Sequence, residues 1–142
     1  MKLTLVLSLW LALASSALAA QSSTDSTAKS AKAASFSLSS KFKNLAEEAL
    51  DSVDRLAIVK YESAQVYSPA ELETVGLLQR LRRAAVSKKE QAASAAIFDY
   101  FGRVGTCRLL RRPVATEVDI EKCYAEEAAA RDAALRSLGK TH

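Results

Sequence analysis

From residue 41 onward, apolar side chains return at intervals of three and four: Phe42, Leu45, Ala49, Val53 and Leu56, with Lys60 closing the series. Glu47, Glu48, Asp51, Asp54 and Arg55 fall elsewhere on the same wheel. That period predicts an amphipathic helix, N-capped by Ser39 or Ser40. Ile58 and Val59 widen its apolar face. Pro69 disfavours helical geometry in the residue before it, so this first helix should end near Tyr67.

The stretch Tyr67-Ser68-Pro69-Ala70-Glu71-Leu72 reads as a new helix start. Ser68 fits an N-cap, Pro69 the first helical position, and Glu71 the far side of a capping box. Tyr67 and Leu72 occupy the positions of a hydrophobic staple. The second helix then carries Leu77, Leu78, Leu81, Ala85, Ala92 and Ala96 on one face, while Ile97, Tyr100 and Phe101 point elsewhere. A kink between residues 87 and 91, or burial of two faces, would reconcile them. Gly102 and Gly105 should end this helix. A short helix from about Cys107 to Arg112 follows, and Pro113 marks a bend. The last helix starts at Thr116, with Asp119 as capping partner. Its face is Ile120, Tyr124, Ala128, Arg131, Leu135 and Leu138, and Gly139 is its C-cap.

No alternating strand-like run and no internal repeat interrupts these helices. Alanine is abundant, and the chain of 142 residues has only four glycines and two prolines. The expected fold is therefore all-α: a small antiparallel bundle of three long helices and one short one, at residues 41–142.

The first residues, MKLTLVLSLWLALASSALAA, have a different character. Lys2 precedes an apolar run over residues 3–13, too short to span a bilayer. Ala17-Leu18-Ala19 is a small-x-small cleavage site, so residues 1–19 read as a secretory signal peptide. Residues 20–40 are rich in Ser, Thr and Ala and read as a flexible tail. No later run is long and apolar enough for a transmembrane segment. The expected location is secreted and extracellular, where two cysteines pair most simply as one disulfide.

Spacing supports a bond between Cys107 and Cys123. Cys107 lies about five residues before the bend at Pro113, and Cys123 about seven after Thr116. At about 1.5 Å per residue the two stand nearly level across a helical hairpin. The bond should staple that hairpin.

Charge is segregated along the chain. Residues 41–73 carry four basic and seven acidic side chains, residues 80–112 nine against two, and residues 113–142 four against six. A basic middle between acidic flanks suits pairing across an antiparallel bundle. The same arginines, Arg80, Arg82, Arg83, Arg108, Arg111 and Arg112, are the candidate partner-binding residues. An extracellular protein is the expected partner, with a polyanion or anionic membrane surface as the other class. Aromatics are not interleaved with the basic residues at 80–89, so base stacking and specific nucleic-acid recognition are not expected.

Catalysis has little to work with. The only histidine is His142, the last residue of the sequence given, so Ser-His-Asp and Cys-His arrangements lack an oriented base. Two cysteines and that histidine do not make a closed zinc site. Glu47-Glu48 and Glu126-Glu127 diverge on a helix rather than cooperate. No Gly-rich phosphate loop occurs, and no cofactor is expected.

Two short patterns carry specific alternatives. Arg80-Leu81-Arg82-Arg83 matches a dibasic processing site, which would release a fragment beginning at Ala84. Arg111 or Arg112 at an exposed bend could enter a trypsin-like pocket, an inhibitor reading that Pro113 weakens. Arg108-Leu109-Leu110-Arg111 also fits the R-x-L-R pattern of secreted oomycete effectors. That motif belongs soon after the signal peptide, with an acidic partner following it; here it lies late and alone, and is read as coincidence. The sequence thus points to a secreted, non-catalytic interaction protein, such as an effector, an inhibitor or a salivary or venom-type factor. The alternatives are a carrier of a small apolar ligand and a precursor cleaved after Arg83.

Overall fold

The computed structural model describes residues 37–110 and 115–140. The residues read as a signal peptide and most of those read as a tail lie outside them, as do Arg111, Arg112 and Pro113. Four helices follow in order: α1 (Ser40–Val59), α2 (Ala64–Ala84), α3 (Lys88–Leu110) and α4 (Glu117–Ser137). The described residues contain no strand. The all-α bundle with a Cys107–Cys123 staple is present. The division into helices differs from the sequence reading.

α1 starts as expected, with the Ser39 hydroxyl accepting from the Phe42 amide at 3.4 Å. It stops at Val59, earlier than expected. α2 begins at Ala64 and carries Pro69 inside it, so Ser68 is not a cap. Nor is there a staple, because Tyr67 is buried while Leu72 is 75% exposed. Proline in the sixth helical position removes one backbone hydrogen bond. Burial of the Tyr67 ring against the core offsets that loss, and the Arg108 guanidinium covers it at 3.8 Å from the ring centroid.

The long second helix is in fact two. The chain breaks at residues 85–87, and Ser87 starts α3 through a capping box. Its hydroxyl accepts from the Glu90 amide at 3.2 Å, and the Glu90 carboxylate accepts from the Ser87 amide at 3.0 Å. The Val86 amide donates to the same carboxylate. Ser39 reaches it as well, through its hydroxyl at 2.6 Å and its amide at 3.2 Å. One carboxylate thus serves the start of α3 and fastens it to the start of α1. The break also resolves the two apolar faces: Ile97 and Tyr100 are core residues of α3, and Ala92 is exposed. Gly102 and Gly105 lie within α3, which runs on to Leu110, so no separate short helix precedes the bend.

α4 has the expected capping box between Thr116 and Asp119. Gly139 ends it at φ 75°, where a side chain would be strained. The amides of Gly139 and Lys140 donate to the carbonyls of Arg136 and Leu135 and satisfy the helix end. Its buried face is Cys123, Glu127, Ala130, Ala134 and Leu135; of the expected face Leu135 and Leu138 are buried, whereas Tyr124 and Ala128 are exposed.

The most extensive packing is within two hairpins, α1 with α2 and α3 with α4, and α1 meets α3 between them. Phe42, Val53, Leu56, Leu78, Leu81, Ile97 and Val104 form the centre of the core. Between α1 and α2 the buried Ser52 and Thr74 hydroxyls lie 2.9 Å apart. Thr74 gives its proton to the Ala70 carbonyl, so Ser52 is the donor of that pair. Successive helices run antiparallel. The start of α1, the α2–α3 turn and the end of α4 therefore share one end of the bundle. The disulfide and the α1–α2 connection lie toward the other.

The caps make opposite predictions for two serines. Ser87→Ala should destabilise by about 1 kcal/mol in urea unfolding. Ser68→Ala should leave the midpoint unchanged. The Glu90 carboxyl is held down to about 2 from 4.5, first by the Ser39 hydroxyl and next by the Ser87 amide, against an opposing contribution from burial. A depressed carboxyl stabilises the fold fully above its unfolded value, and this is lost as pH falls from about 4.5 toward about 2. Unfolding midpoints of Glu90→Gln should therefore fall less across that window than those of the unsubstituted protein.

Candidate interaction surface

Three ion pairs tie α1 to α4 at successive levels. The Lys60 ammonium donates to both Glu127 oxygens at 2.5 and 2.7 Å. One and a half turns down α1, the Arg131 guanidinium grips Asp54 with two bonds of 2.8 Å. Farther on, Lys140 lies 3.2 Å from Glu47. The first pair is buried, its side chains 5% and 11% exposed. Two rings cover it, with the Lys60 nitrogen 5.3 Å from the Tyr61 centroid and 5.0 Å from that of Tyr124. Those rings meet edge to face at 6.4 Å. Burying two charges costs several kcal/mol per ion unless geometry and further contacts offset it. Paired bonds and two ring faces supply that offset here.

At the second level the Tyr100 hydroxyl also donates to Asp54, at 2.8 Å. Burial, then the hydrogen bond to Asp54, push the Tyr100 phenol well above its ordinary value. The same carboxylate holds the Arg131 guanidinium firmly in its charged form. Asp54 spends its lone pairs on three donors, and Tyr100 keeps its proton. The trio is arranged as a clamp, beside an open groove of about 380 Å³ that includes Ala57 and Ile58. Among the described residues no group of three His, Cys, Asp or Glu stands where it could hold a metal ion.

The disulfide joins the end of α3 to α4, with Cα atoms 5.6 Å apart. Arg103 reinforces the same hairpin by donating to Glu126 at 2.7 Å.

The candidate arginines do not form one patch. Arg80, Arg82 and Arg83 lie exposed in the last turns of α2. Arg80 is 3.8 Å from Glu48 of α1. Arg82 lines an open groove of about 360 Å³ with Gln91, Ser94, Ala95 and Phe98. Arg108 is near the opposite end, half-buried on Tyr67, with its Nε enclosed and without a hydrogen-bond acceptor. Arg111 and Arg112 are outside the described residues.

Two surface features escaped the sequence reading. Six large apolar side chains are exposed toward the disulfide end: Ile58, Val66, Leu72, Leu109, Val118 and Tyr124. Among the described residues, Val86 is the one large apolar side chain exposed toward the other end. At that other end Lys43 and Arg136, remote in sequence, join Lys89 along one groove of about 270 Å³. Wheel positions alone could have flagged Val118 and Leu109; the lysine groove required the tertiary fold.

No protein-family model, curated protein or solved structure matches this chain.

The clamp makes a spectroscopic prediction. Tyr67 and Tyr100 are both raised above the ordinary value of 10, in each case chiefly by burial. A phenol raised on folding contributes stability fully below its unfolded value, and this is lost as pH rises through the folded one. Ultraviolet titration should show tyrosine ionising late, above pH 10. Tyr100→Phe should remove part of that late phase and destabilise by about 1–2 kcal/mol.

Proposed function

We propose that this is a secreted, non-catalytic interaction protein that binds an extracellular protein partner through the disulfide end of the bundle. The observation that carries the reading is the gathering of exposed apolar side chains at that end, including Val118 at 72% and Leu109 at 60% exposure. Isolated exposed apolar residues are ordinary, whereas their concentration at one end suits an interface. The disulfide is compatible with an extracellular location. No helix among the described residues is long and apolar enough to cross a membrane. The leader at residues 1–19 supports secretion. The polar groups best placed for chemistry, Asp54, Tyr100 and Arg131, are already engaged with one another.

The carrier reading has less support. The grooves described above are open to solvent, whereas a carrier encloses most of its ligand. Cleavage after Arg83 also meets an obstacle, since Arg80 to Arg83 are helical and convertases take extended chain.

The test is a paired capture from native fluid. Leu109→Asp with Val118→Asp should keep the melting temperature, because both side chains are exposed, and should lose a protein that the unsubstituted chain retains. Identical retention by both chains would contradict an interface at this end. A co-purifying lipid, or mature material beginning at Ala84, would instead favour the carrier or the precursor.

A further inference from the structure

The far end of the bundle carries a separate surface. The first turn of α1 brings Lys41 and Lys43, the last turn of α2 brings Arg82 and Arg83, and the first turn of α3 brings Lys88 and Lys89. Arg136 joins them from the last turn of α4. All are exposed, and none forms an ion pair among the described residues. Three of the acidic groups nearby are already committed, while Asp132 stays exposed one turn before Arg136 on α4. Glu90 is buried under its four donors, Glu48 faces Arg80 and Glu47 faces Lys140. Most remaining exposed carboxylates, Glu62, Glu73, Glu117, Asp119 and Glu121 among them, lie toward the disulfide end. Charge is therefore polarised from end to end, with positive charge focused where four helix termini meet.

The surface has a shape as well as a sign. Lys43, Lys89 and Arg136 line one groove with Ser37, Leu38 and Ser137. Its chemistry separates three classes of polyanion. A single-stranded nucleic acid needs exposed rings for its bases to stack on. The described residues offer none here in full exposure, and Phe98, which lines a groove with Arg82, is half-buried against the core. An anionic membrane favours apolar side chains that insert beside the cations, and among the described residues Val86 is the one large exposed apolar residue at this end. A linear sulfated polysaccharide needs neither. It asks for cations and small hydroxyl donors spaced along a shallow groove.

We propose that this end of the bundle binds a linear sulfated polysaccharide, seated along the groove of Lys43, Lys89 and Arg136. The choice of an extracellular glycan rests on the secretion reading. The binding itself does not, since it is tested with purified protein. The surface is remote from the apolar end assigned to the protein partner, so the two can be occupied together.

The experiment measures affinity for a size-defined heparin oligosaccharide as a function of salt. The unsubstituted protein should bind at physiological ionic strength, with log Kd rising linearly in log salt. Lys43→Ala with Lys89→Ala should weaken binding about tenfold and lower that slope by about two, one unit per lost contact. Arg55→Ala with Lys122→Ala removes the same charge from exposed sites away from this end and should change neither value. Circular dichroism should show all variants folded, because every substituted side chain is solvent-exposed. Equal weakening by both pairs would mean that net charge alone is read, and would overturn the proposal. So would absence of heparin binding, or tighter binding to anionic phospholipid vesicles or to a single-stranded oligonucleotide of matched charge.

Discussion

The buried pair of Lys60 and Glu127 is the constraint on which the rest of the bundle depends. Each hairpin can close by itself: α1 and α2 through Ser52 and Thr74, α3 and α4 through the disulfide and Arg103. The seam between α1 and α4 is different, because the inward face of α4 carries Ala130 and Ala134, which bury little apolar area and leave sliding cheap. A desolvated ammonium and carboxylate tolerate only one alignment, since a slip of one turn would leave two buried charges unpaired. That alignment brings Asp54 opposite Arg131 and Glu47 opposite Lys140. It also turns α4 so that Glu127 and Cys123 face inward while Tyr124 lies across the ammonium.

This register also sorts the surface. Cross-helix pairs consume much of the charge in the middle of the molecule: Arg80 with Glu48 and Arg103 with Glu126 join the basic block to its acidic flanks, while the three α1–α4 pairs join the two flanks to each other. What they leave over differs between the ends. At one end the unpaired lysines and arginines of four helices converge. At the other, apolar side chains stand exposed among acidic ones. Two surfaces of opposite chemistry thus follow from one packing arrangement, and neither requires a catalytic group.

The outer caps were legible because they are local. Ser39, Thr116 with Asp119, and Gly139 act within a few residues of themselves, and so does the reach of the Cys107–Cys123 hairpin. The middle of the chain misled because it holds two Ser-x-x-Glu patterns. The one at Ser68, strengthened by proline, is interior to α2. The one at Ser87 is the true start of α3. What separates them is tertiary: Tyr67 is held in helix by burial under Arg108, and Glu90 gains two extra donors from Ser39 of α1. Lys60 was assigned to the apolar face of its helix, yet nothing nearby in sequence names its partner sixty-seven positions away. The candidate arginines were likewise legible as charge, while their separation to opposite ends was not.

The most direct measurement is a double-mutant cycle on the interhelical pair, with Lys60→Met, Glu127→Leu and the two together followed by urea unfolding. Each single substitution strands a buried charge and should cost about 3–5 kcal/mol, while the double replacement should recover much of that loss. The resulting coupling should reach about 2 kcal/mol or more. A coupling below about 0.5 kcal/mol, with the two single losses simply adding, would show that this pair does not set the register of the bundle.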